Sequence, residues 1–470
     1  MTEDETTERA PWPLRTVMLT LMGAIFGLLF DRLTTGSQPW MWSEDPFRLA
    51  LATFLAVGGV AFALSVERER WGWTIAFSVA LGIVVAMVGW WNGPQAQWGA
   101  GEGWRLAAAL FAAVIAVPLF QAARDEGSFR LPTQAVHSHG WTNLILWGAG
   151  LAFVLAARLL AILLSELFGL IGLDQPRQYL QQGGPAWIIA GGAFGAAIGL
   201  LRDRDNVLLI LQRVVRTILS MLAPLLAAGL LLFVLAIPFT GLDELWANTK
   251  AATPVLLICV LGAVLLVNAI AGVTGDIEAR SPILRWSGMA LIALMTPLAL
   301  IAALSTWKRI DQHGFTPDRL WAAVFVAAAL AVALAYLTAL IRGRTRWAGR
   351  LRRANVHLAA ELSVIALILA LPVVNFGAIS ARDQLARVES GRIPPERFDW
   401  AAMRFDFGRP GVEGLHRLAE RGAPALRPHA IRWLAARNRF DMTTSTVAPP
   451  EPVPPPLDEV APARERAPAP

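Results

Sequence analysis

The chain has 470 residues, of which 55% are hydrophobic and 16% charged, whereas soluble globular domains carry about a quarter charged residues. That balance excludes an ordinary soluble domain and indicates an all-α, polytopic transmembrane helical bundle. The formal net charge of +6 comes almost wholly from arginines gathered in loops between apolar runs, a pattern of membrane topology rather than nucleic-acid binding.

The amino-terminal stretch MTEDETTERAPWPLR is acidic ahead of its apolar run and has no small-residue cleavage pattern, so it reads as a retained segment (1–13) leading into the first span. A hydrocarbon core about 30 Å thick needs roughly 20 apolar residues in helical form, because lipid cannot satisfy backbone N–H and C=O groups. Eleven segments approach that requirement, near 14–30, 47–66, 71–91, 104–121, 141–164, 185–201, 215–237, 253–273, 282–305, 319–341 and 356–376. A transmembrane domain over 14–378 follows. Prolines 118, 224, 297 and 372 are expected inside spans, where each frees a backbone carbonyl.

Arginine is retained on the cytoplasmic side of short loops. The loops around 67–70, 121–130, 202–216, 280–285 and 342–353 are basic, the last with six arginines, while 92–103 has no Lys or Arg. The expected topology therefore has a cytoplasmic amino terminus and, with an odd number of spans, an extracytoplasmic carboxyl terminus. The loop RIDQHGFTPDRLW (309–321) reads as a stop and restart between spans nine and ten. Gly314 suits a helix end, Thr316 a cap, Pro317 the next first turn, and Arg309 and Arg319 flank it. A ligand site on this outer loop is the other reading.

Beyond the membrane, 379–440 carries charge at helical spacing and is expected to form a small helical extracytoplasmic region. Residues 441–470 are rich in proline and poor in large apolar side chains, which predicts a disordered tether.

Several stretches, in chain order, resemble one family. They are IPFTGLDELW (237–246), VNAIAGVTGD (267–276), RIDQHGFTPDRLW, ANVHLA (354–359), ISARDQLARVESGRI (379–393) and FDWAAMRFDFGRPGVEGLHRLAE (398–420). Together they are similar to bacterial integral membrane proteins of domain-of-unknown-function family 4153. The resemblance implies a multi-span domain followed by a short extracytoplasmic helical region in an inner membrane. It implies no reaction, substrate or cofactor.

Ionisable groups inside spans are costly and mark candidate sites. His357 and Glu361 lie four residues apart and share a helix face; with Asn268 and Asp276 they would make a proton-linked or cation site if their spans pack together, or an interfacial pair solvated by headgroups. Arg158, Ser165 and Glu166 form a candidate outer-face contact for an anion or lipid phosphate, with snorkelling or a structural ion pair as the other reading. Gly191, Gly195 and Gly199 make a smooth stripe for close helix packing, or line a substrate path. His137 and His139, read as lying on a loop, lack a third neighbour for a metal.

No P-loop, H-E-x-x-H, G-x-S-x-G or dinucleotide fingerprint occurs, so no catalytic residue, metal or cofactor is assigned. Three functions stay open. One is transport of a small solute or lipid, or its regulation. The second is a membrane enzyme acting on a lipid-linked envelope substrate through outer groups such as Asp243, Glu244, Asp311 and Asp318. The third is a scaffold or sensor whose 379–440 region binds a periplasmic protein, the lipid bilayer being the partner in every case.

Overall fold

The computed structural model describes residues 12–35, 44–94, 98–181, 183–241, 252–437 and 439, and the fold is helical throughout these. The tail predicted for 441–470 lies outside the described residues, as does the amino-terminal segment up to residue 11.

The first half comprises α1 (Pro13–Thr34), α2 (Pro46–Ser65), α3 (Trp71–Trp91), α4 (Ala100–Glu126), α5 (Thr133–Gly169), the short α6 (Gln175–Gln181) and α7 (Gly184–Arg202). The second half comprises α8 (Asp205–Thr240), α9 (Ala252–Ala271), α10 (Pro282–His313), α11 (Pro317–Gly343) and α12 (Trp347–Ala370). A carboxyl-terminal group follows, with α13 (Phe376–Glu389), α14 (Trp400–Phe405), α15 (Gly408–Arg421) and α16 (Arg427–Ala435).

Local chemistry explains the boundaries. Proline opens α1, α2, α10 and α11, where its missing N–H costs nothing and its fixed φ suits a helix. Asp45 accepts from Phe47 N at 2.9 Å to cap α2, and Thr316 Oγ1 accepts from Arg319 N at 3.4 Å to cap α11. Gly127 and Gly314, at φ +70° and +77°, turn the chain out of α4 and α10, a region that favours residues without a Cβ.

Ten helical stretches among the described residues are long and apolar enough to cross a membrane, so the chain is a multi-pass membrane protein. The last of them, Pro317–Ala370, has 54 residues, about 80 Å of helix, more than twice a hydrocarbon core. A 3-10 turn at Arg344–Arg346 divides it into α11 and α12, which pack on each other, so the stretches correspond to the eleven apolar segments of the sequence. The helices overrun those segments where polar residues still propagate the helix outside the apolar zone. α5 begins at Thr133 instead of near 141, so His137 and His139 are helical and not in a loop. Conversely, Pro372 falls in the turn after α12 rather than within a span, where it helps to end the helix.

Each half has its own core. In the first, Leu19, Leu64, Leu146 and Ile198 are buried together; in the second, Leu291, Met295 and Leu298 of α10 are buried with Val267, Tyr336 and Trp347. The closest approach in the first half is between α1 and α7. A Cβ on Gly191 or Gly195 would overlap the carbonyls of Gly23 or Leu19, and one on Gly199 would press on Thr16. Gly23 and Gly27 answer from α1, giving a small-residue seam in which backbones touch directly. Across the two halves, α3 and α4 meet α11 and α12 through Val85, Ala109, Ala112, Trp321, Ala366 and Ala370.

One end of the bundle is knitted by ion pairs. Glu67 pairs with both Arg15 and Arg202, and Arg15 reaches Asp203 at 3.5 Å. Arg124 bonds the Ser65 carbonyl and pairs with Asp125, which also meets His139 Nε2 at 2.9 Å. Arg352 joins Glu278 at 2.9 Å and the Ala271 carbonyl at 2.7 Å. These are the arginine-rich loops of the sequence.

The opposite end carries the α10–α11 turn and α13–α16. The latter close on Leu385, Phe398, Trp400, Met403, Phe407, Leu415, Leu418 and Ala430. The turn is the point of attachment. Phe315 N donates to Asp383 Oδ2 at 2.8 Å, and Gln384 Nε2 donates to the carbonyls of His313 and Phe315 at 2.9 and 3.1 Å. Gly99, just before α4, lies against the Asp406 carbonyl.

Candidate functional site

A cavity of about 920 Å3 lies where the two halves meet, at the large end of the range for ligand sites. Its wall is drawn from α2, α3, α4, α5, α9, α11 and α12, and is overwhelmingly apolar, with Val57, Leu81, Leu110, Val117, Leu265 and Val356 among its residues. Several wall residues have much of their surface uncovered: Val114 at 60%, Leu144 at 49% and Leu261 at 67%. The cavity is therefore open rather than sealed, and its uncovered wall is apolar. None of its lining residues is Asp, Glu, Lys or Arg.

Polar groups concentrate on one part of the wall. Asn268 near the end of α9, Tyr336 in α11, Asn355 in α12 and His137 in α5 all line the cavity and bond to one another. Asn268 Nδ2 donates to the Val264 carbonyl and to Tyr336 Oη, each at 2.8 Å. Tyr336 Oη donates to Asn355 Oδ1 at 2.6 Å. Asn355 Nδ2 donates to Asn268 Oδ1 at 2.7 Å and lies 3.3 Å from His137 Nε2. Four helices from both halves thus share one hydrogen-bond ring, so groups whose burial in lipid costs several kcal/mol when unpaired are satisfied. Asn268, His137 and Asn355 lie within a few turns of the arginine-rich ends of their helices. A second amide pair stands beside them. Asn143 Nδ2 donates to Gln121 Oε1 at 2.8 Å, and Gln121 Nε2 donates to the Leu64 carbonyl at 2.6 Å.

The comparison with protein families matches residues 49–404 to a family model described as a domain of unknown function (DUF4153). The chain belongs to this family. The matched range contains every residue of the cavity wall and the α10–α11 turn with its partners on α13. No curated protein and no solved structure matches the chain.

In this DUF4153 protein the residues singled out by sequence fall in several places. Asn268 is in the hydrogen-bond ring. His357 and Glu361 are exposed on α12, and neither lines the cavity. Asp276 is exposed in a 3-10 turn between α9 and α10. These four are not brought together. Arg158 is half-buried, Ser165 is buried and donates to the Ile162 carbonyl at 2.9 Å, and Glu166 pairs with Arg177 at 3.4 Å, both half exposed. Gly191, Gly195 and Gly199 serve the α1–α7 contact. In the α10–α11 turn, Arg319 Nη1 donates to the Gly314 carbonyl at 2.9 Å and Pro317 opens α11, while Arg309 is half-buried. Asp243 and Glu244 lie outside the described residues, and Asp311 and Asp318 are exposed. Among the described residues no group of three His, Cys, Asp or Glu could hold a metal ion.

Sequence reasoning missed Tyr336, Asn355 and the ring role of His137. A signal existed for one of them. The chain has two tyrosines, and Tyr336 sits within an apolar run, where a buried phenol needs a partner.

Asp406, between α14 and α15, is a perturbed acid. Burial pushes the Asp406 carboxyl above the usual range, helped by Asp399 and Asp318 and opposed by the guanidinium of Arg439, which it binds at 2.8 and 3.0 Å.

Proposed function

We propose that this protein binds a membrane-borne amphiphile in the cavity between its halves and moves it, or controls its movement, across the bilayer. The observation that carries this reading is the form of the cavity. A large open apolar chamber, with Val114, Leu144 and Leu261 largely uncovered in its wall, suits an acyl or isoprenoid chain entering from lipid, and the polar ring suits a head group. A water-soluble solute would gain little from such a wall.

The arginine-rich ends, knitted through Glu67, Arg124 and Arg352, support a cytoplasmic assignment for that side. On this reading the amino terminus is cytoplasmic, α13–α16 stand on the extracytoplasmic face of a bacterial inner membrane, and the polar ring serves the inner leaflet. A periplasmic partner would meet the protein at α13–α16.

Gly140 provides the test. It lines the cavity, and a Cβ there meets nothing within 4 Å, so Gly140→Phe fills the chamber while its first atom fits. Wild-type protein exchanged into mild detergent is expected to retain an amphiphile detectable by native mass spectrometry, and the variant to lose it. Equal occupancy in the two proteins, or none in either, overturns the reading.

A further inference from the structure

The hydrogen-bond ring fixes what the cavity still has to offer. The Val264 carbonyl accepts only, so the Asn268 atom 2.8 Å from it is the amide nitrogen. Asn268 Oδ1 therefore faces Asn355, whose atom at 2.7 Å is its nitrogen. Asn355 Oδ1 then faces Tyr336, which donates to it. The second hydrogen of Asn355 Nδ2 points at His137 Nε2, which must accept. His137 is thereby held neutral in the ring, with its proton on Nδ1.

All the amide and phenol hydrogens of the ring are used internally. What remains free is on α5. His137 Nδ1 and the indole N–H groups of Trp141 and Trp147 have no hydrogen-bond partner among the described residues, and the second amide hydrogen of Asn143 has none either. His137, Trp141, Asn143 and Trp147 all line the cavity, along about 15 Å of helix. Across from them, Pro118 in α4 has no N–H to give the Val114 carbonyl, and both residues are in the wall. The unused capacity of the chamber thus includes four neutral N–H donors on α5 and the Val114 carbonyl as an acceptor.

Charge is missing from the wall, and the cation felt by His137 is engaged: Arg352 is bound to Glu278 and the Ala271 carbonyl. A phosphate seated here would be desolvated without a counter-charge, which costs far more than neutral donors return.

We propose that the occupant is an uncharged lipid of the diacylglycerol kind, whose ester carbonyls accept from the α5 N–H groups and whose hydroxyl donates to the Val114 carbonyl. This rests on the reading of the cavity as an amphiphile site and adds the class of head group.

The full chain in phosphatidylcholine nanodiscs would be labelled with two photoactivatable probes of identical acyl chains, one a diacylglycerol and the other a phosphatidylglycerol. The expected result is labelling of α5 peptides by the diacylglycerol probe, displaced by dioleoylglycerol at about one tenth the concentration of dioleoylphosphatidylglycerol required. Trp141→Phe keeps the ring and removes one donor, and is expected to weaken diacylglycerol labelling several-fold. Equal labelling by the two probes, or preference for the phosphate, overturns the neutral-head proposal while leaving the cavity reading intact. Absence of labelling in α5 by either probe overturns both.

Discussion

Tyr336 Oη donates to Asn355 Oδ1 at 2.6 Å, and this bond ties the second half of α11 to the first half of α12 across the Arg344–Arg346 turn. The same hydroxyl accepts from Asn268 on α9. One phenol oxygen therefore joins three helices at the edge of the cavity.

Tyr336→Phe keeps the ring in its pocket and removes only that oxygen. It leaves Asn355 Oδ1 and one hydrogen of Asn268 without their partners, in a residue that is 1% exposed. A loss of about 1–2 kcal/mol is expected, given the cost of unpaired buried groups and the modest worth of hydrogen bonds between membrane helices. Thermal unfolding of purified protein in detergent would read it as a lowered Tm, and an unchanged Tm would show the ring to be dispensable for stability.

The α1–α7 seam has no room for a side chain. Gly195→Val puts its Cβ into the Leu19 carbonyl, a backbone atom that cannot swing aside. The two helices must separate, and the yield of folded, monodisperse protein is expected to fall sharply. Gly101→Ala, at a helical position where a Cβ meets nothing within 4 Å, is the matched control and should fold as well as the parent or slightly better. Size-exclusion profiles of the two variants give the comparison.

How much of this was legible in the sequence depends on the length scale of the signal. Spans were readable because lipid imposes a run of roughly 20 apolar residues on any crossing helix. The α10–α11 turn was readable because Gly314, Thr316 and Pro317 act on their own backbone. The hydrogen-bond ring was not, since its four members are up to 218 residues apart and each is unremarkable locally. Asn355 and His357 illustrate the difficulty. Two residues along a helix turn about 200°, so the cavity receives Asn355 while His357, the more conspicuous residue in sequence, is exposed on another face. The start of α5 misled for a different reason: the polar stretch TQAVHSHG (133–140) marks the end of the apolar zone, and the helix continues through it.

Glu67 stands between two arginines, Arg15 and Arg202, whose side chains are 8% and 10% exposed. Glu67→Gln leaves both cations without that counter-charge, and removing one partner of a buried pair costs about 3–5 kcal/mol. Destabilisation of that order is expected in chemical denaturation. The exposed Arg409–Glu413 pair on α15 is the contrast, because water and salt screen it. Glu413→Gln should leave the midpoint within experimental scatter.

The last prediction concerns how the carboxyl-terminal helices are held. Asp383 has two duties: its carboxylate accepts from Phe315 N at 2.8 Å and from Arg387 Nε at 3.1 Å. Its neighbour Gln384 holds the carbonyls on either side of Gly314. A change in these two side chains should therefore release α13 from the turn without touching the core formed by Leu385, Met403 and Leu415. Asp383→Ala with Gln384→Ala is expected to raise amide hydrogen exchange across His313–Arg319 and α13 by about tenfold or more, the loss of two to three hydrogen bonds. Exchange in α10 below the turn should stay slow, because Leu298 and Ala302 there are fully buried. If protection is lost equally in α10, the turn is not a separable joint, and α13–α16 share one cooperative unit with the membrane helices.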